Sequence, residues 1–203
     1  MTITRVGIVG WGSHSEAFAR ALARVGVSTV ISNDGWMGDS LSMLVADLRG
    51  MVSVTTLKAA AEEDVVFLSV RWPDLAETLA LNADWEGRIL IDATDPILPG
   101  SKVAGIGEMT SSEIVRGLSP GAQLVKAFNS LAPEVLAAEP RQAGGRRVVF
   151  FSGDHLRAKV EVRRLVAQMG FVGIDLGGLV SGGKLLQFPD GPLWGQNLLR
   201  LGL

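Results

Sequence analysis

The 203-residue sequence contains no cysteine and only two histidines. The first absence excludes disulfides, thiol nucleophiles and cysteine-rich metal sites, and it fits a reducing compartment. The second leaves too few ligands for a histidine-based metal centre, so no metal site is expected. An excess of charge of one sign is lacking as well. Nineteen basic residues stand against 21 acidic ones, for a net charge of -2, and no dense Lys/Arg stretch gives the electrostatic footprint of a nucleic-acid binder. The five tryptophans follow no common period, which argues against an aromatic platform for bases. No apolar run reaches the roughly 18 residues that a membrane span requires. Residues 1 to 20 have no basic start leading into an apolar stretch, and Gly10, Gly12, His14 and Glu16 interrupt them, so no secretory signal is expected. Together these absences predict a cytoplasmic protein with small-molecule partners and neither nucleic acid nor membrane as a partner.

What is present is an ample supply of core residues, 47% of the chain being hydrophobic, arranged in a repeating pattern. Short β-branched or apolar runs alternate with stretches of helical spacing, as in a parallel sheet with crossover helices. The strand candidates are Arg5 to Val9, Thr29 to Ser32, Val52 to Val54, Val65 to Val70, Arg88 to Asp92, Leu124 to Ala127, Val148 to Ser152 and Val172 to Leu176. Between the first two, Ala17, Phe18, Ala21, Leu22 and Val25 share one helical face and Gly26 follows as a helix stop. Later helices are predicted at Ser40 to Arg49, Thr56 to Glu62, Asp74 to Leu81, Ser111 to Leu118, Pro133 to Ala138 and His155 to Met169. The expectation is an α/β fold of Rossmann type: a mainly parallel sheet of about eight strands with helices on both faces. No repeat or linker divides the chain, so residues 1–203 are read as one domain. Residues 177–203 are read as a short apolar tail packed on it.

The segment Val6-Gly7-Ile8-Val9-Gly10-Trp11-Gly12-Ser13-His14-Ser15 joins the first strand to the first helix. A dinucleotide fold needs glycines there, where the chain turns sharply and free helix N–H groups meet a pyrophosphate. Gly10 and Gly12 occupy those points. The third glycine of G-x-G-x-x-G is Ser15, which either adds a side chain at the helix–strand contact or offers a hydroxyl to phosphate. Ser13 and His14 are further phosphate donors, the alternative for His14 being an exposed loop residue. The second strand ends in Ser32-Asn33-Asp34-Gly35. Ser32 and Asn33 suit either a ribose 2′-hydroxyl or a 2′-phosphate, whereas Asp34 repels a phosphate if it faces inward and is otherwise a solvated turn residue.

Several further segments fall in a familiar order: Ile31-Ser32-Asn33, Leu68-Ser69-Val70 followed by Trp72-Pro73, Ile91-Asp92-Ala93-Thr94-Asp95-Pro96, Val125-Lys126-Ala127-Phe128-Asn129, Phe151-Ser152-Gly153-Asp154 and Gly191-Pro192-Leu193. With the opening turn they make the chain resemble, across its length, the coenzyme F420 (deazaflavin)-dependent NADP reductase-like family of NAD(P)-binding oxidoreductases. The Rossmann domain of that family is also similar to the cytosolic domain of membrane ferric reductases. The resemblance implies hydride transfer between NADP(H) and a flat acceptor such as deazaflavin or flavin. It places Gly10, Trp11, Gly12, Ser13, His14 and Ser15 at the pyrophosphate, and Ser32, Asn33 and Asp34 at the adenosine ribose. Ser69, Val70, Arg71 and Trp72 would meet the middle of the cofactor, and Thr94, Asp95, Pro96, Ala127 and Asn129 the nicotinamide end.

Three departures stand out. Where the family commonly has an Arg for the 2′-phosphate, this chain has Asp34-Gly35-Trp36, which leaves NAD beside NADP as cofactor. The usual Thr-Asn-Pro is Thr94-Asp95-Pro96, which puts an acidic group near the nicotinamide. Arg71 replaces a common proline and pairs with either the pyrophosphate or a surface carboxylate. Hydride transfer is mainly a problem of orientation and needs no general base, and no Ser/His/Asp constellation or carboxylate pair emerges, so no catalytic side chain is assigned. Lys126 and Asn129 are candidates for the nicotinamide carboxamide, with Lys126 alternatively sending its head to solvent. The apolar residues from Leu185 to Leu199 line the acceptor pocket, form a homodimer contact or pack over the sheet edge. A dinucleotide-binding sensor or regulatory subunit without turnover is the competing function.

Overall fold

The computed structural model describes residues 3–32, 39–81 and 84–202. The chain opens with β1 (Arg5–Val9), α1 (Ser13–Ala23), β2 (Ser28–Ser32), α2 (Asp39–Asp47), β3 (Val52–Thr55), α3 (Leu57–Ala61) and β4 (Val65–Leu68). A 3-10 turn at Trp72–Asp74 leads into α4 (Leu75–Ala80), then β5 (Ile89–Asp92) and a small hairpin of β6 (Ile97–Leu98) and β7 (Lys102–Val103). The second half comprises α5 (Ser111–Leu118), β8 (Gln123–Ala127), α6 (Pro133–Ala137), β9 (Arg141–Gln142), β10 (Gly145–Gly153), α7 (Leu156–Gln168), β11 (Val172–Asp175), α8 (Leu179–Leu186) and β12 (Leu199–Leu201).

Eight strands lie side by side in the order β11-β10-β8-β5-β4-β1-β2-β3. From β3 to β8 all pairs are parallel. The order reverses at β1, which pairs β2 on one side and β4 on the other, so a crevice opens beyond the carboxyl ends of β1 and β4. Successive residues of the central strands feed opposite faces of the sheet. Ile8, Phe67, Ile91 and Val125 join Phe18 of α1, Leu44 of α2 and Val162 of α7 in one core. Val9, Leu68, Leu90 and Leu124 join Ala60 of α3, Leu79 of α4 and Val115 of α5 in the other. Phe18 stacks on Phe67 with ring centroids 4.0 Å apart, which pins α1 over β4. Local sequence sets where the helices begin: Thr110 and Glu113 close a capping box at the start of α5.

The expected Rossmann-type sheet with helices on both faces is therefore present, but two features differ from the reading of the sequence. The strand around Val148 to Ser152 is β10, nine residues long and antiparallel to β8. A strand buried on both faces has the same apolar composition in either direction, so orientation was not written in the pattern. The segment after Gly177 packs on the sheet as expected, but as regular structure rather than as a plain tail. It forms α8, whose Leu179, Gly182, Gly183 and Leu186 are buried, and then β12, which pairs β10 antiparallel. Those four residues have helical i, i+3, i+4, i+7 spacing, masked because two of them are glycine. Glycine is what the position admits, since a Cβ at Gly182 would meet the Ser152 Cβ at 2.6 Å.

Candidate functional site

The turn between β1 and α1 holds two glycines that answer to different constraints. Gly10 has φ +90, and a Cβ there would lie 2.4 Å from the Ser69 carbonyl oxygen; the protein itself demands glycine. Gly12, the N-cap of α1, is extended at φ 169, and a Cβ there would meet no protein atom within 4 Å. Neither backbone conformation nor packing calls for glycine at Gly12, and its bare backbone faces open space. No side chain caps α1, so the first-turn N–H groups of this 11-residue helix are free of side-chain acceptors.

Three contacts hold the turn. The Gly10 N–H donates to Ser32 Oγ at 3.3 Å. The Ser15 hydroxyl donates to the Gly10 carbonyl at 2.8 Å and is fully buried, so it closes the turn from inside rather than facing outward. His14 Nε2 lies 2.9 Å from the Leu131 carbonyl; a carbonyl only accepts, so this nitrogen carries the proton. His14 is thus neither a free loop residue nor an uncommitted donor, because it ties the glycine turn to the β8–α6 loop.

A groove runs along this edge in two connected parts that share Trp11, Ser69, Val70 and Arg71. The part beside β2, about 580 Å³, is lined also by Gly10, Ser32, Leu57 and Thr78. The part toward β5, about 440 Å³, is lined also by Gly12, Ser13, His14, Trp72, Thr94 and Asp95. Ile97, Leu98 and Pro99 of the β6–β7 hairpin close that part from outside. Twelve of the residues singled out from sequence therefore come together on one groove. Asn33 and Asp34 lie outside the described residues. Arg71 takes the alternative of a surface carboxylate, its guanidinium sitting 2.7 Å from Asp74 and largely exposed.

Pro96, Ala127 and Asn129 are buried behind the groove. Asn129 Nδ2 donates to Asp95 Oδ1 and to the Leu186 carbonyl, both at 2.9 Å, while its Oδ1 has no partner. Trp194 Nε1 donates to Asp95 Oδ2 at 3.1 Å. The half-buried Asp95 is thus gripped by Asn129 of the β8–α6 loop, itself tied to α8 through Leu186, and by Trp194 of the segment after α8. No described residue from 177–202 lines the groove, so that segment supports Asp95 rather than facing the cleft itself. Burial raises the Asp95 carboxyl above its ordinary range; the Lys126 charge and the two donated bonds oppose this, and the Asp92 charge adds to it.

Lys126 neither reaches the groove nor extends to solvent. Its side chain is 1% exposed and pairs with the fully buried Asp92 at 3.4 Å, and it also donates to the Thr94 carbonyl. Asp92 accepts from the Thr94 amide (2.9 Å), the Thr94 hydroxyl (2.7 Å) and the Ser112 hydroxyl (2.7 Å). This network shapes the Thr94–Asp95 loop. The sequence pattern assigned no individual role to Asp92 or Ser112, and it placed Trp194 only within the apolar segment from Leu185 to Leu199, not as a donor to Asp95. The available signal was an acid and a base near the carboxyl ends of two largely apolar strands, which the register sets directly opposite each other. Phe128 follows at φ +69, a strained value for a non-glycine residue, and its ring packs edge-on against Phe18. Among the described residues no group of three or more acidic or histidine side chains is placed to hold a metal ion, and no helix is long and apolar enough to cross a membrane.

Residues 5–96 match the family model described as NADP oxidoreductase, coenzyme F420-dependent. Metalloreductase STEAP3 of Rattus norvegicus is 30% identical over 98% of this chain and 40% of its own length. The chain spans 35 to 40% of the curated metalloreductases that it matches. Among solved structures, a hypothetical protein from Sinorhizobium meliloti superposes with a TM-score of 0.89 at 38% identity, covering 98% of this chain and 96% of that one. A reductive aminase from Aspergillus terreus, solved with NADPH and ethyl levulinate, shares the fold alone, with a TM-score of 0.62 at 16% identity over 91% of this chain and 58% of that one. Over residues 5–96 the chain thus resembles the family described as NADP oxidoreductase, coenzyme F420-dependent, and over nearly its whole length it is similar to the Sinorhizobium protein.

Proposed function

We propose that the groove binds a nicotinamide dinucleotide, NADP(H) first and NAD(H) second, and that the protein transfers hydride between its nicotinamide and a flat acceptor of deazaflavin or flavin type. The observation that carries this reading is Gly12. A glycine that neither backbone nor packing requires, at the uncapped start of a helix and on a groove reaching from Ser32 to Asp95, fits the close approach of a pyrophosphate. Trp11, Gly12, Ser13 and the backbone amide of His14, whose ring is committed to Leu131, would hold the pyrophosphate, with Gly10 shaping the turn and Ser15 locking it. Ser32 with Asn33 and Asp34 would take the adenosine ribose. Ser69, Val70, Arg71 and Trp72 would flank the middle. Thr94 and Asp95 would face the nicotinamide, with Pro96, Ala127 and Asn129 behind them. When bound, the dinucleotide supplies the hydride. The protein contributes orientation and excludes water, and the β6–β7 hairpin provides the outer wall.

The test is titration with NADPH, NADH and S-adenosylmethionine, followed by turnover of the preferred nucleotide with coenzyme F420, FMN, FAD and ferric chelates. Binding of NADPH with oxidation by a deazaflavin or flavin supports the proposal. Absence of nucleotide binding overturns it. Binding without turnover on any acceptor favours a dinucleotide-binding sensor, a reading supported by Asp95 standing where the family pattern has an amide.

A further inference from the structure

Three arginines form a row at the opposite end of the sheet from β3. β10 is the middle strand of a small antiparallel ribbon, with β9 on one side and β12 on the other. The register sets Arg146 directly opposite Arg141 on β9 and directly opposite Arg200 on β12. Directly paired residues of a ladder project from the same face, so three guanidinium groups stand side by side. Like charges placed opposite each other are destabilising unless something neutralises them. No side chain among the described residues does so: all three arginines are exposed, and none of them forms an ion pair there. The nearby Glu139 accepts from the Arg141 backbone amide instead. On the next position of β10, the buried Arg147 is likewise bonded to two side-chain amides, of Asn197 and Gln142, and to no carboxylate.

The row lines a concavity of about 700 Å³ whose lining, among the described residues, includes no acidic side chain and shares no residue with the proposed dinucleotide groove. Gly144 and Gly202 on its wall present bare backbone. The geometry points to a second binding site here, for a compact multivalent anion of the phosphate-ester class. Planar guanidinium forks match phosphate oxygens two at a time. Cross-strand spacing concentrates the three charges within the span of a small molecule, and a net charge of -2 over the whole chain disfavours docking of an extended polyanionic surface.

The probe is inorganic tripolyphosphate, titrated calorimetrically at low ionic strength with NADPH present in excess so that the groove is filled. One saturable site is expected, weakened at least about tenfold in Arg146→Gln and in Arg200→Gln and unchanged in Arg71→Gln, which alters the groove. Tripolyphosphate should also raise the melting temperature of the wild type and not that of Arg146→Gln, while NADPH affinity stays the same in both. Loss of tripolyphosphate binding in Arg71→Gln alone would place the anion in the groove and overturn the proposal. So would the absence of a saturable site, or retention on phosphatidylserine vesicles without tripolyphosphate binding. Because the readout at the arginines does not depend on nucleotide, failure of the dinucleotide reading leaves this test intact.

Discussion

Asp92, the last residue of β5, and Lys126, one residue before the end of the parallel neighbour β8, lie opposite each other in register and form an ion pair removed from solvent. Taking one charge away leaves the other buried and uncompensated, which costs about 3–5 kcal/mol. Lys126→Met is therefore expected to lower unfolding free energy by about that amount in urea titration. Asp92→Asn combined with Lys126→Met should recover part of the loss. A single variant as stable as wild type would show that the pair does not hold the loop.

Gly10 and Gly12 should separate stability from binding. Gly10→Ala combines a left-handed φ with a contact of 2.4 Å to backbone and is expected to destabilise the fold by about 1–3 kcal/mol or more. Gly12→Ala has room in the protein and should stay within about 0.5 kcal/mol of wild type. The same variant should weaken NADPH binding about tenfold or more, because its methyl group occupies the approach to the helix N-terminus. Denaturant melts and nucleotide fluorescence titrations on both variants check the contrast.

The raised Asp95 pKa gives a pH dependence of definite sign. The folded state holds this proton more tightly than the unfolded chain, so the associated stability is present in full below the unfolded value and is lost as pH rises through the folded one. Measured against Asp95→Asn, wild type should therefore lose relative stability across the window that starts at the ordinary carboxyl pKa and ends above the raised one. In the ionised form the carboxylate favours the cationic, oxidised nicotinamide. Asp95→Asn should accordingly shift the NADP+ to NADPH affinity ratio toward NADPH, and an unchanged ratio would place the carboxylate away from the ring.

Removing the imidazole in His14→Ala leaves the buried Leu131 carbonyl without its donor. A loss of about 1–3 kcal/mol is expected, with faster amide hydrogen exchange in the loop after β8 than elsewhere. Uniform exchange would show that the contact does not join the two loops.

Asp34→Arg tests the cofactor preference written at the end of β2. Facing the 2′ position, the substitution should raise the NADP to NAD affinity ratio about tenfold or more. An unchanged ratio would assign Asp34 to solvent.

The sequence revealed the parallel core because burial on both faces turns β1, β4, β5 and β8 into apolar runs that periodicity detects. It revealed the groove because turn chemistry at Gly10 and Gly12 is local. Contacts that join distant segments left no such trace. Trp194 reaches Asp95 across 99 positions and His14 reaches Leu131 across 117, and neither pair has a spacing that a helix or strand would impose. Lys126 was misread for a related reason: a lysine at a strand end normally extends to water, and only the register with Asp92 shows that its charge is met inside. α8 was missed because propensity counts glycine against a helix, whereas packing against Ser152 requires it.

The bond from Ser15 to the Gly10 carbonyl also bears on how such proteins are recognised from sequence. A fingerprint that insists on three glycines passes over this chain, although its third position performs a compatible task by stitching the turn together with a hydroxyl. Scoring that position by whether a small side chain can reach the carbonyl five residues earlier would retrieve chains of this kind, and it would place the burden of proof on the second glycine, where packing within the protein sets no limit.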